Sequence, residues 1–225
     1  MKKILLIDDR KERQTKFTAD TGIDLEEYSN ILDNITGEDY PDYVKKLSQK
    51  DFELEHEVII VHRSAFGETD INILDRLKNY CQSKHKKLIF FSGGISSTFY
   101  LKEPFEFLLV NSKVFYSNNL KIFLDDSLNS NINIVKIGYG NKWKLNIMLD
   151  VLEKINLFIS NGNNYNHENM TRYSTFQDKS QILLIDEYIR YKEPELKNGG
   201  VTKSNLTKLS EDISNQIKKQ VILDV

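Results

Sequence analysis

The sequence predicts an α/β protein: a parallel sheet with helices on both faces, an insertion before the last core strand, and a mainly helical C-terminal extension. Three observations predict it. Short apolar runs at residues 4–7, 58–61 and 88–91 are continuous rather than alternating, as strands buried on both faces must be. Segments with apolar residues at helical spacing lie between and after them. Elements that alternate in this way close into a sheet through right-handed crossovers.

The elements follow in order. Residues 4–7 form the first strand, and a weaker second strand is expected near residues 23–28. A short helical pattern at 42–47 sets Tyr43, Val44 and Leu47 on one side. The strand at 58–61 precedes a helix at 70–82, where Ile73, Leu74, Leu77, Tyr80 and Cys81 repeat at helical spacing. The strand at 88–91 is followed by extra material from Thr98 to Tyr116, whose apolar segments 99–101 and 107–110 suggest an inserted hairpin or extra strand. A helix is expected at 119–128, and residues 132–137, rich in β-branched side chains, read as the last core strand. The strongest helical stripe is at 142–159, with Leu145, Met148, Leu149, Leu152, Ile155 and Ile159.

The polar cluster at 160–164 marks a boundary between a main domain, residues 1–160, and an extension, residues 161–225, that packs on the main domain or on a partner. Within the extension, 181–191 is apolar enough for helix or strand, 198–200 reads as a turn, and Leu206, Leu209, Ile213, Ile217 and Val221 form a final helical stripe.

Composition excludes several classes. A net charge of −2 gives no field that draws the chain to nucleic acid or acidic membranes. The Lys-rich run at 83–87 lacks the interleaved aromatics of a nucleic-acid surface. Cys81 is the single cysteine, so neither an intramolecular disulfide nor a cysteine-rich zinc site exists; it reads as a small buried hydrophobe. The apolar run at the start is too short for a signal peptide, and no stretch approaches the ~20 residues of a membrane span. A cytoplasmic protein is expected. The Asn, Lys and Ile bias fits an AT-rich bacterial genome.

In an open parallel sheet, ligands and reacting groups gather beyond the carboxyl ends of the strands. There the sequence places Asp8 and Asp9, then His62, then Ser92, and last Lys136. With Asp8-Asp9 after the first strand, Ser92-Gly93 after the next-to-last and Lys136 in the last, the chain resembles a response-regulator receiver domain over residues 1–160. The resemblance implies a flavodoxin-like fold, Mg²⁺ held by Asp8 and Asp9, and Ser92 and Lys136 as the remnant of a phosphate site. It also implies a phosphoacceptor aspartate where this chain has His62. An imidazole there removes a hard oxygen ligand, so a stable aspartyl phosphate cannot form. Lys136 is followed by Ile137, where receivers often have proline, and the insertion departs from their compact pattern.

Each residue also has a plainer reading. Asp8 and Asp9 suit a helix N-terminus, His62 a hydrogen-bonded strand end, Ser92-Gly93-Gly94 a tight loop, and Lys136 an inert charge pair. Tyr100, Phe115 and Tyr116 read as packing for the insertion.

Three functions compete. The first is a degenerate receiver, a signalling or regulatory module that binds a protein partner independently of phosphorylation. The second is an enzyme using His62 as catalytic base with Asp8, Asp9 and Lys136 on a phosphate-bearing or metal-bound substrate. No glycine-rich fingerprint, Walker lysine, nucleophile elbow or H-E-x-x-H accompanies it. The third is an accessory subunit of a larger bacterial complex, docking through residues 161–225.

Overall fold

A computed structural model describes residues 2–49, 51–63, 65–66, 71–95, 98–102, 105–160 and 203–223. The chain divides into two compact units, Met1–Asn141 and Lys142–Val225.

The first unit is a flavodoxin-like α/β domain. In chain order its elements are β1 (Ile4–Ile7), α1 (Lys11–Thr21), β2 (Leu32–Ile35), α2 (Tyr40–Ser48), β3 (Val58–His62), α3 (Ile71–Ser83) and β4 (Lys87–Ser92). Then follow β5 (Phe99–Leu101), β6 (Phe107–Asn111), α4 (Ser112–Phe115), α5 (Asn118–Leu128) and α6 (Val135–Tyr139). The six strands lie in the order β2-β1-β3-β4-β6-β5. All pairings are parallel except the β5–β6 hairpin at one edge.

Alternation along the strands divides the core. Ile4, Leu6, Val58, Ile60, Ile89 and Phe91 join one cluster, with Phe123 and Leu124 from α5, Ile137 from α6 and the partly buried Phe17 of α1. The β1 residues between them, Leu5 and Ile7, are equally buried and face the other way. Of the central strands, β1 and β3 carry no polar residue before their carboxyl ends and β4 only Lys87 at its first position, as suits the middle of the sheet.

Two element assignments need correction. Residues 132–137 do not form the last core strand: Val135–Tyr139 is a helix, and Ile134 and Ile137, three apart, point into the core. The fifth parallel strand is β6, inside the expected insertion, beside β4. Its unbroken run Phe107-Leu108-Leu109-Val110 suits a strand buried on both faces, whereas Asn133 and Lys136 interrupt the other segment. The chain reaches β6 through β5 rather than through a crossover helix, so the hairpin foreseen in the insertion supplies part of the sheet itself.

The second strand lies at Leu32–Ile35, not near residues 23–28, where Leu25–Tyr28 is a short helical turn. Asp24 fixes that turn by accepting a hydrogen bond from the Glu26 backbone N–H.

The division between the two compact units falls after Asn141. The helix α7 (Trp143–Ser160) pairs with α8 (Lys203–Leu223), so both belong to the second unit. Val151 and Ile155 of α7 and Leu206, Leu209 and Ile213 of α8 are buried, and Ser210 Oγ donates to Asn156 Oδ1 at 2.9 Å. The segments 181–191 and 198–200 lie outside the described residues. Among the described residues no helix is long and apolar enough to cross a membrane.

Candidate functional site

The carboxyl edge of the sheet brings Asp8, Asp9 and His62 together. Parity sets two of them: Asp8 continues the face of Ile4 and Leu6, and His62 the face of Val58 and Ile60. Both side chains therefore lie on the side covered by α1 and α5, and both are buried. Asp9 is the first residue beyond that alternation, and its Oδ1 lies 2.6 Å from His62 Nδ1. A carboxylate only accepts, so Nδ1 carries the proton and donates.

Asp8 has no solvent exposure, and donors surround it. Its Oδ1 accepts from the Arg10 backbone N–H at 3.0 Å and from Arg13 Nη2 at 2.8 Å. Its Oδ2 accepts from the Tyr116 hydroxyl at 2.6 Å. Arg13 Nη2 is also 3.9 Å from Asp9 Oδ1, and Arg10 Nε is 3.4 Å from Asp9 Oδ2.

Aromatic packing fixes Tyr116. Its ring stacks on Phe17 at 5.4 Å and meets Phe91 edge-on at 5.5 Å, while Phe91 stacks on Phe115 at 4.2 Å. The His62 ring lies 5.1 Å from the same Phe91. Gln14 Nε2 reaches the Tyr116 oxygen at 3.3 Å, and its amide pairs reciprocally with that of Asn34 at 3.0 and 2.9 Å. The result is one continuous hydrogen-bonded group from β2 to the α4–α5 junction.

Electrostatics follow the geometry. Burial alone raises the Asp9 carboxyl, but the His62 hydrogen bond and the charges of His62, Arg10 and Arg13 together hold it below the usual 3.8. Burial, then the Asp8 charge and hydrogen bond, push the Tyr116 phenol well above 10.0, so it remains a donor at any working pH. Burial pushes the Cys81 thiol up to about 12, an inert core thiol.

The other expected site residues lie apart. Ser92 ends β4 on the same edge, in register with Asn111. Asn111 ties that corner, its Nδ2 donating to the carbonyls of Gly93 and Ile95 at 3.2 and 2.6 Å. Lys136 is not at a strand end at all. It belongs to α6, and its ammonium donates to Asp126 of α5.

The one-residue ligand atoms of Asp8, Asp9 and His62 lie within 4.8 Å of one another, close enough to gather a metal ion. Mg²⁺, which the resemblance implies, does not fit the donors present. It requires oxygen ligands in octahedral array, but both Asp8 oxygens already accept from protein donors, and the third group is a protonated imidazole nitrogen.

Sequence reasoning missed Arg13, Gln14 and Asn34, and it placed Tyr116 only as packing. Arg13 carries a local signal: it lies four residues after Asp9, at helical spacing on the first turn of α1. Tyr116 carries none, because 108 residues separate it from Asp8. No family model, curated protein or solved structure matches the chain.

Proposed function

We propose that the Met1–Asn141 unit is a receiver-like regulatory module that acts by contact with a protein partner and without an aspartyl-phosphate switch. The carrying observation is the pairing of His62 with Asp9 at 2.6 Å in the place where an acceptor carboxylate would stand. Two features support the reading further. The five parallel strands follow the 2-1-3-4-5 order on which receivers are built. The acid pair already faces the guanidinium groups of Arg10 and Arg13 and pairs with the His62 ring, so the pocket needs no ion or phosphoryl group to complete its hydrogen bonds.

An enzyme working through His62 is less well supported. Its side chain is 1% exposed, and Nδ1 is engaged with Asp9, so the imidazole is not presented to a substrate from the edge.

The test is incubation with Mg²⁺ and a small phosphodonor such as acetyl phosphate, followed by intact mass measurement. The unmodified mass is expected for the wild type and for His62→Gln. Hydroxylamine-labile phosphorylation of the wild type, lost in Asp9→Asn, would contradict the reading.

A further inference from the structure

We infer that Arg13 is the built-in cation of this site: its guanidinium stands where a divalent ion would join Asp8, Asp9 and His62, and those three residues take a Zn²⁺-type ion once it is removed. The inference rests on the pocket's geometry and holds whichever partner the module serves.

Two carboxylates at the end of a buried strand repel each other and demand a cation between them. Arg13 Nη2 occupies that position, 2.8 Å from Asp8 Oδ1 and 3.9 Å from Asp9 Oδ1. Arg10 is a weaker candidate, because it reaches only the outer oxygen of Asp9 and is 61% exposed. The guanidinium is held there by the acids and not by a full complement of partners, since its Nε is buried without a hydrogen bond.

Arg13 sits on α1 four residues after Asp9, so its charge is present at an effective concentration that dissolved Mg²⁺ does not reach. The side chain is nonetheless 22% exposed, and its removal opens the space toward solvent instead of leaving a sealed void. What remains is two carboxylates and an imidazole, a donor set that suits Zn²⁺ or Co²⁺ better than Mg²⁺.

Calorimetric titration with Zn²⁺, Co²⁺ and Mg²⁺, with Co²⁺ absorbance as the second readout, tests this on the full chain as wild type, Arg13→Met and Arg13→Lys. Arg13→Met is expected to bind one Co²⁺ or Zn²⁺ per chain at least about tenfold more tightly than the wild type. Adding His62→Gln should abolish the Co²⁺ bands, Arg13→Lys should exclude metal as the wild type does, and Mg²⁺ should bind none of them. If Arg13→Met does not fold alone, recovery of its circular dichroism on adding Zn²⁺ supports the inference, and no recovery overturns it. A folded Arg13→Met that binds no metal, or a wild type that binds as tightly, also overturns it.

Discussion

Tyr116 and Asp8 meet across 108 residues of sequence. Among the described residues, the Tyr116 hydroxyl is the one donor to Asp8 Oδ2. Tyr116→Phe keeps the ring stacking but leaves a buried carboxylate oxygen unpaired, and should lower stability by about 1–3 kcal/mol in urea unfolding. Arg13→Met removes one member of a buried charge pair and should cost about 3 kcal/mol by the same measurement. A change under about 0.5 kcal/mol in either would mean that solvent satisfies Asp8 instead.

Asp9 gives a pH signature. Its carboxyl is held below its ordinary value of 3.8, so folding favours the ionised form. That contribution is complete above the ordinary value and is lost as pH falls through the lower folded one. Urea midpoints of the wild type should therefore drop more steeply below about pH 4 than those of Asp9→Asn. Parallel curves would show that Asp9 and His62 do not interact as described. At this scale the acids and His62 were legible, because strand-end position follows from apolar runs that the sequence displays. Their partners were not: which aromatic side chain reaches Asp8 depends on the turn after β6, and nothing local encodes it.

Secondary elements were legible where burial and periodicity agree. The strands β1, β3 and β4 and the helices α3, α5 and α7 lie within a residue or two of their expected bounds. The swap between β6 and α6 arose because β-branched content signals burial as much as strand. Ile134, Val135 and Ile137 are buried, but as a helix packed on β6. Gly138 shows how close that packing is: an added Cβ would stand 2.7 Å from Thr98 Cγ2 and 3.2 Å from Leu108 Cδ1. Gly138→Ala should destabilise by about 1–3 kcal/mol through overpacking, readable as a lower melting temperature. An unchanged melting temperature would contradict this placement of α6. Lys136 moved with the element. As a strand residue it would have stood near the acids; as a helical one it pairs with Asp126.

At the scale of the whole chain, the unit Met1–Asn141 contains the six-stranded sheet and every residue of the charged site. It has the size and core of an independent domain, whereas the turn cluster at 160–164 suggested a boundary some twenty residues later. The polar turn was visible in the sequence, but the pairing of α7 with α8 across the intervening 42 residues was not. The regulatory reading rests on the first unit alone, through a strand-end pocket closed by its own side chains.

Thermal unfolding of the full chain, with and without Mg²⁺ and beryllofluoride, tests that claim most directly. A ligand bound only by the native form raises the melting temperature in proportion to its occupancy. The account predicts the same melting temperature in all conditions for the wild type. A saturable rise with Mg²⁺ and beryllofluoride, abolished by Asp9→Asn, would contradict it and show that the acid pair still receives an ion and a phosphoryl group.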